Sequence, residues 1–219
     1  MTSDGPRRII VAITGASGPI YGIRLLERLA AIASVETHLI VTSGGRATIA
    51  YETSYALPDV LALADHVYPE HDLAAAISSG SFLTDGMIVA PCSIKTLSGI
   101  ATCHDSNLVV RAADVVLKER RRLVLMVRES PFHLGHLRLM TQVTEAGAVV
   151  APPLPAFYYC PQTIADLVDH SVSRVMDLFG ISDSTQARWT GPAAAIASSR
   201  AARRRADGHD DTAPGDETP

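Results

Sequence analysis

Uninterrupted hydrophobic runs alternate along this chain with segments whose apolar positions recur at helical spacing. The apolar runs predict strands at residues 8–14, 37–41, 86–90, 123–127 and 148–151. The periodic segments between and after them predict helices over residues 20–33, through 51, from 94, from about 133 and over 164–179. Strands that are hydrophobic throughout and alternate with helices are typical of a parallel sheet covered on both faces. The pattern therefore predicts an α/β fold of three layers with a mostly parallel sheet.

Length and composition limit the domain organisation. A chain of 219 residues with 47% hydrophobic content buries a substantial single core. Residues 1–6 form a short N-terminal extension, and residues 7–181 carry the alternating pattern of one α/β domain. In the C-terminal segment, 182–219, the pattern ends, and its charged, small and proline-containing composition predicts a largely disordered tail after about residue 200.

Charge and cysteine usage exclude several classes of function. A net charge of −4 and a pI near 6.0 argue against nucleic acid or an anionic membrane as the main partner. The cysteines are widely spaced, and His104, His133 and His136 have no grouping with carboxylates or thiols, so we expect neither disulfides nor a metal site. The chain lacks an apolar signal core and any apolar run near the roughly 18 residues of a membrane span. We therefore expect a cytoplasmic protein.

The first candidate site is the segment Gly15-Ala16-Ser17-Gly18 between the first strand and the first helix. Glycines let the backbone approach a ligand closely, and the free amides of a helix N-terminus attract anions such as phosphate. A tight turn without a ligand explains the segment about equally well. Because the full GxGxxG fingerprint and its acidic ribose partner are absent, the sequence disfavours NAD.

The second candidate site is the segment 91–96, where another strand ends and another helix begins. Its hydroxyls and free amides are suited to a flavin phosphate or ring edge, with Ser93 as the N-cap. Ordinary capping accounts for Ser93 nearly as well. The hydroxyl-rich stretch that precedes it, from Ser78 to Asp85, is interpreted as a solvated surface turn.

The third candidate site combines a helix with the end of a strand. Arg111 and Lys118 share a face at helical spacing, and Arg128-Glu129 closes a strand at the edge where parallel sheets bind ligands. Lysine is otherwise present only at position 95, and a compact ammonium suits phosphate. The alternative is that this basic run is a solvated helix end favoured by the helix dipole, and we prefer that interpretation for residues 120–122.

Five long motifs follow one another along the chain: TGASGPIYG at 14–22, SSGSFLTDGMIVAPCSIKTL at 78–97, NLVVRAADVVLKERRRLVL at 107–125, RESPF at 128–132 and PPLPAFYYCPQT at 152–163. Taken together, these motifs resemble the UbiX-type flavin prenyltransferases, in particular the members long called B subunits of hydroxyaryl acid decarboxylases. The similarity runs from about residue 7 to residue 181, in the order expected for that family. The resemblance implies that the α/β domain is a Rossmann-like flavoprotein fold that binds FMN.

The resemblance also implies an activity. Such an enzyme transfers a dimethylallyl group from dimethylallyl phosphate to N5 and C6 of reduced FMN, and the prenylated FMN serves a UbiD-type decarboxylase. A homo-oligomer, commonly a dodecamer, is implied, and no metal is required. Several cations can stabilise a departing phosphate through charge-assisted hydrogen bonds of about 1.5–3 kcal/mol each. The alternatives are an FMN-binding accessory subunit of an aromatic acid decarboxylase, and an FMN-dependent cysteine decarboxylase-like enzyme, which the Arg128-Glu129 and Phe157-Tyr158 motifs disfavour.

Carried over position by position, the resemblance implies three overlapping sets of site residues. The expected catalytic residues are Ser17, Glu52, Lys118 and Glu129. The expected ligands of the dimethylallyl phosphate are Lys118, Arg128, Tyr158 and Arg174. The expected FMN contacts are Gly15, Ala16, Ser17, Thr42, Ser93, Ile94, Lys95, Thr96 and Arg111. The chain departs from the family pattern at Thr42, which keeps a hydroxyl where serine is usual, and at Gly135, Arg138 and Leu139.

Overall fold

Six strands and seven α-helices make up the protein in a computed structural model that describes residues 5–182, 188–192 and 196. The strands are β1 (Arg7–Ile13), β2 (Val35–Val41), β3 (His66–Tyr68), β4 (Gly86–Cys92), β5 (Arg122–Val127) and β6 (Val149–Val150). The helices are α1 (Ile20–Ala30), α2 (Ser43–Glu52), α3 (Leu57–Ala62), α4 (Ile94–Ala101), α5 (Leu108–Lys118), α6 (Leu134–Glu145) and α7 (Ile164–Leu178).

All strands pair in parallel, in the order β3-β2-β1-β4-β5-β6. The order reverses beside β1, which pairs with β2 on one side and with β4 on the other. In parallel α/β sheets, ligands bind at this reversal, outside the carboxyl ends of the strands. The topology therefore places the segments after β1 and β4 on either side of the expected binding crevice.

Successive residues of β1 point to opposite faces of the sheet, and both faces are buried. Ile9, Val11 and Ile13 join one core cluster, which includes the apolar sides of α1 and α7. Ile10 and Ala12 join a second cluster with the apolar sides of α4 and α5. A strand buried on both faces must be apolar at every position, which explains the uninterrupted runs in the sequence. This confirms the predicted three-layer α/β fold.

The sequence pattern missed β3 and α3 and placed several ends differently. β3 has three residues at the edge of the sheet, two of them exposed, so it produces no hydrophobic run. α3 has six residues, too few for a clear helical period. α1 ends at Ala30 rather than at residue 33, and β2 begins at Val35 rather than at residue 37.

The predicted division of the chain remains a prediction, because it depends partly on residues outside the described part. The core clusters extend to Phe179 and Ile181, close to the expected domain boundary. The tail after residue 200, for which we predicted disorder, lies outside the described residues. Within the described part, no helix has the length and apolar character needed to cross a membrane.

We predict that Gly22→Ala destabilises the protein, although alanine favours a helix by about 0.8–1 kcal/mol. A Cβ at Gly22 would lie 2.2 Å from the carbonyl oxygen of Ala90 and 2.7 Å from Cγ1 of Ile13. Because a backbone carbonyl in a paired strand cannot move aside cheaply, overpacking should outweigh propensity and leave a net loss of about 1–2 kcal/mol. Urea denaturation measures the loss, and Gly5→Ala, which meets nothing within 4 Å, is the control. An unchanged or higher midpoint for Gly22→Ala would contradict the prediction.

Candidate functional site

A cavity of about 560 Å³ opens at the carboxyl edge of the sheet, where the strand order reverses. This volume lies within the range of about 300–1,000 Å³ that is usual for small-molecule sites. Most of its walls come from segments that directly follow strands. The lining residues are Gly15, Ala16, Ser17, Thr42, Ser43, Gly44, Glu70, Ser93, Ile94, Lys95, Thr96, Ser106, Asn107, Val110, Arg128 and Glu129.

The N-termini of α2, α4 and α5 all open into this cavity. Thr42, Ser93 and Asn107 cap these helices, accepting hydrogen bonds from the amides of Gly45 (3.1 Å), Thr96 (3.3 Å) and Val110 (3.1 Å). Each cap residue also lines the cavity. Because a helix N-terminus carries free amides and a partial positive charge, three of them around one space favour an anionic ligand.

Acidic and basic side chains make the electrostatic character of the cavity differ from one wall to another. The carboxylate of Glu70 accepts a hydrogen bond of 2.9 Å from the amide of Ser43, so an acid already occupies the start of α2. Lys95 and Arg128 also line the cavity, and neither has an ion-pair partner in the part of the chain that the structure describes. Positive charge available to a ligand is therefore concentrated near α4 and the end of β5.

The loop after β1 touches the start of α2 backbone to backbone. A Cβ on Gly15 would lie 2.9 Å from Cα of Gly44, so only glycine allows this approach. On the other side of the loop, Oε2 of Glu52 accepts hydrogen bonds from the amide of Gly18 (2.8 Å) and from Oγ of Ser17 (3.1 Å). Glu52 does not line the cavity itself but holds the loop that does.

Thr14 joins the two loops of the crevice, although the sequence analysis did not single it out. This residue is fully buried and directly follows β1. Its Oγ1 donates to the carbonyl oxygen of Pro91 at 2.7 Å and accepts from the amide of Ser93 at 2.9 Å. A hydroxyl residue that ends an apolar strand just before a glycine-rich turn is the signal that would have identified it.

Arg128 and Glu129 follow β5 and line the cavity together, as the sequence analysis expected. The amide of Arg128 donates to the carbonyl oxygen of Cys92 at 3.1 Å, which fixes this segment against the end of β4. Oε1 of Glu129 accepts a hydrogen bond of 2.9 Å from the amide of Ser130. Burial raises the pKa of Tyr21, and the positive charge of Arg128 partly offsets that shift.

Arg111 and Lys118 do not line this cavity in the single chain. The guanidinium of Arg111 donates to Asp114 Oδ2 at 3.0 Å and to the carbonyl oxygen of Ser78 at 3.2 Å. Lys118 pairs with Glu119, whose pKa is lowered by this hydrogen bond. Both basic side chains are therefore engaged with neighbouring residues of α5 or with the loop beside it.

Tyr158 and Arg174 also lie outside the cavity, in a second group formed by α7 and the loop that precedes it. The hydroxyl of Tyr158 is 2.9 Å from Nε2 of His170, and Arg174 donates to Asp177 Oδ2 at 2.9 Å. Burial and the charge of Arg174 lower the pKa of His170. Arg174 and His170 line a smaller cavity of about 240 Å³ beneath the proline-rich loop. Within one chain, Arg128 is thus the one expected phosphate ligand that reaches the larger cavity.

The prediction that residues 120–122 are a solvated helix end is wrong for Arg121. Its guanidinium is partly buried and donates to the carbonyl oxygens of Gly80 (2.7 Å) and Phe82 (2.8 Å). These bonds hold the stretch that was interpreted as a solvated turn, and they join residues about 40 positions apart. Such long-range hydrogen bonds cannot be predicted from a run of basic residues in the sequence.

Comparisons with known proteins agree with this geometry. A family model described as flavoprotein matches residues 1–177. The chain is 56% identical over 184 residues to a flavin prenyltransferase UbiX from Thauera aromatica, covering 84% of this chain and 94% of that protein. The structure of AnUbiX (PadA1) in complex with FMN and dimethylallyl pyrophosphate is 52% identical, with a TM-score of 0.84, covering 85% and 99% of the two chains. A dodecameric FMN-dependent UbiX-like decarboxylase from Escherichia coli O157:H7 is 49% identical, with a TM-score of 0.83, covering 84% and 100%.

We predict that Thr14→Val lowers the free energy of unfolding by about 1–3 kcal/mol, because the carbonyl of Pro91 and the amide of Ser93 lose a buried partner. The shape of the side chain is nearly unchanged, so packing should not contribute. Thr102→Val is the matched control, since its hydroxyl is exposed and bonds only within its own helix turn, to the carbonyl of Ser98. Equal unfolding free energies for the two variants, measured by chemical denaturation, would contradict a special role for Thr14.

Proposed function

This chain belongs to the flavoprotein family and, within it, to the UbiX-type flavin prenyltransferases, and we propose that it transfers a dimethylallyl group from dimethylallyl phosphate to reduced FMN. The observation that carries the proposal is the cavity at the strand-order reversal, where three helix N-termini meet Arg128 and Glu129. It supports the transferase over a cysteine decarboxylase or an accessory subunit, because it combines anion sites with an acid beside a cation.

The residues of the cavity fit FMN. The backbone around Gly15 and the hydroxyl oxygens of Ser17 and Thr42 offer polar groups on one side of the crevice, and the free amides of Ile94 and Lys95 lie on the other. Gly15 and Gly44 lie in contact and carry no side chains, so their backbone stays accessible to a ligand in the cavity. When bound, reduced FMN supplies two nucleophilic atoms, N5 and C6. The chain's own residues bind it, orient it and exclude water from it.

The reaction must balance protons as well as bonds. The carbon–oxygen bond to phosphate breaks, and its electron pair leaves with the phosphate. New carbon bonds form at N5 and at C6: an electron pair of the flavin makes each of them, and the electron pair of the alkene takes up a proton. One proton leaves N5 and one leaves C6, while the phosphate and the alkene each gain one. A residue that can deliver a proton is therefore needed beside the phosphate.

Glu129 is our candidate for that proton donor, with Arg128 as the adjacent cation. Both line the cavity at the end of β5. A positioned carboxylic acid that protonates a leaving group typically contributes about 100-fold to 10,000-fold to the rate. A guanidinium recognises phosphate through paired hydrogen bonds, which fixes the position of the leaving group. Together, the two residues would hold the phosphate and assist its departure. Through its bonds to the loop, Glu52 would keep Ser17 oriented toward the flavin.

We propose that neighbouring subunits complete the phosphate pocket. Tyr158 and Arg174 lie outside the cavity of a single chain, and the side chains of Arg174 and Lys118 are 57% and 47% exposed. Exposed cations on a chain whose solved relative is a dodecamer are suited to reach a neighbour's cavity. A homododecamer would then supply Lys118, Tyr158 and Arg174 around the donor phosphate. The role expected for Arg111 as an FMN contact would likewise require it to exchange its present partners.

The product, prenylated FMN, would pass to a UbiD-type decarboxylase in the cytoplasm. The motif resemblance to members associated with hydroxyaryl acid decarboxylases supports this partner. The decisive experiment incubates the full chain with reduced FMN and either dimethylallyl phosphate or dimethylallyl diphosphate, without oxygen, and measures the mass of the released flavin. We expect a gain of one dimethylallyl unit with the monophosphate. An unmodified flavin with both donors, together with stable binding to a decarboxylase, would instead establish the accessory role.

We predict that Glu129→Gln slows prenyl transfer by about 100-fold or more, while FMN binding stays close to that of the wild type. The amide keeps the size of the side chain but cannot deliver the proton that the departing phosphate requires. Single-turnover kinetics at saturating donor measure the chemical step, and equilibrium dialysis measures FMN affinity. An unchanged single-turnover rate would remove Glu129 from the mechanism.

We predict that Arg174→Ala and Tyr158→Phe raise the donor concentration needed for half-maximal turnover by roughly tenfold to hundredfold, since each loses a hydrogen bond to a charged phosphate. Arg122→Ala is the control, because Arg122 begins β5 about 20 Å from Arg128 at its other end and has no expected ligand role. If the pocket is shared, mixed oligomers of Arg174→Ala and Glu129→Gln chains should be more active at low donor concentration than oligomers of either chain alone. Equal effects of Arg122→Ala and Arg174→Ala would indicate general electrostatic attraction instead.

A further inference from the structure

Away from the flavin cavity, three side chains with metal-binding atoms converge on β2 and β3. Glu36 and His38 are two residues apart on β2 and therefore share a face of the sheet. His66 is the registered partner of His38 on the neighbouring strand β3. The ligand atoms of all three lie within 4.8 Å of one another. We propose that Glu36, His38 and His66 form a binding site for a divalent late transition metal, with Zn²⁺ as the probe ion.

The distances around Glu36 fit such an ion. Its Oε1 lies 3.0 Å from Nε2 of His38 and 3.3 Å from Nε2 of His66. Zinc bonds of about 2.0–2.2 Å in a tetrahedral arrangement place ligand atoms about 3.3 Å apart. The two imidazole rings stack with centroids 4.8 Å apart, so both nitrogens reach the same carboxylate. Because the side chain of His66 is half exposed, its ring can turn to direct the nitrogen toward an ion.

His38 has the surroundings of a metal ligand. It is 1% exposed, and its Nδ1 lies 3.0 Å from the hydroxyl of Tyr68. If Nδ1 carries the proton and donates a hydrogen bond to the hydroxyl oxygen of Tyr68, the lone pair of Nε2 faces the cluster. A second hydrogen bond of this kind is the usual support for a metal-bound histidine.

The donor set selects the class of ion. Two imidazole nitrogens and one carboxylate oxygen suit zinc, cobalt, nickel and copper better than magnesium or calcium, which prefer oxygen ligands alone. The three side chains leave the remaining coordination position to water. Since none of them lines the flavin cavity, the ion would act on the sheet edge rather than on prenyl transfer. It would link His66, on a strand of three residues, to the longer strand β2.

Substitution of Arg8 tests the proposal in the opposite direction, because it should strengthen metal binding rather than weaken it. Its Nε donates to Oε1 of Glu36 at 3.3 Å, and its guanidinium lies 4.9 Å from the centroid of the Phe82 ring. This positive charge competes with a metal for the same carboxylate oxygen. Removing it should therefore strengthen metal binding, whereas removing Glu36 or His66 should weaken it. A methionine at position 8 keeps an apolar stem against Phe82 and removes only the charge.

The experiment titrates untagged, full-length protein with Zn²⁺ in competition with a chromophoric chelator. We expect one ion per chain, at least tenfold weaker binding in His66→Ala and in Glu36→Gln, and severalfold tighter binding in Arg8→Met. Substitution by Co²⁺ should give the absorption of a tetrahedral nitrogen and oxygen site. Zinc should also raise the melting temperature by roughly 5–10 °C at a free concentration 100 times Kd, and this rise should be absent in His66→Ala.

Two controls separate this cluster from other donors on the chain. His209→Ala removes the histidine of the acidic sequence DGHDD near the C-terminus, and His71→Ala removes an exposed histidine beside Glu70. Both variants should bind zinc as the wild type does. Because His66 is exposed, its substitution should leave the fold intact, which circular dichroism without metal verifies. The proposal is overturned if no stoichiometric zinc binds, if His66→Ala and Glu36→Gln retain full affinity, or if Arg8→Met binds more weakly.

Discussion

Parallel pairing of β1 with both β2 and β4 is the constraint on which the rest of the molecule depends. Because all strands run in the same direction, their carboxyl ends lie at one edge of the sheet, and most of the helices that follow them begin at that edge. The direction of the strands is therefore enough to bring together loops from distant parts of the sequence. At the centre of this edge, the buried hydroxyl of Thr14 forms two hydrogen bonds with the segment before α4. It donates to the carbonyl oxygen of Pro91 and accepts from the amide of Ser93. The crevice is thus a product of the core.

The sequence was sufficient where burial on both faces forced a continuous pattern. It predicted five of the strands and the site segments that follow β1, β4 and β5, because position after a strand determines position at the edge. It failed where structure depends on contacts between distant residues. β3 is too short and too exposed to show a pattern, and the role of Arg121 rests on carbonyl groups of Gly80 and Phe82. Likewise, His38 and His66 become neighbours only through strand register.

The same limit applies to the phosphate pocket. A motif predicts which residue types a reaction needs, but it does not state which copy of the chain supplies them. Arg128 follows a core strand, so its place at the cavity is set within one subunit. Arg174 belongs to α7 and Tyr158 to the loop before it, and we propose that this part of the chain faces another subunit in the assembly. The proposed function would then depend on oligomerisation, because three of the four expected phosphate ligands lie outside the chain's own cavity.

Charge placement inside the cavity answers a further difficulty of the proposed reaction, which brings together two phosphate-bearing molecules that repel each other. Each phosphate carries about −1.5 to −2 charge near pH 7, so a single broad basic surface would not keep them apart. Glu70 occupies the start of α2, which removes that helix end as an anion site. The remaining positive groups are the N-termini of α4 and α5, Lys95, and Arg128 at the end of β5. An acid such as Glu70 within a site for anions would therefore help to hold the two phosphates apart.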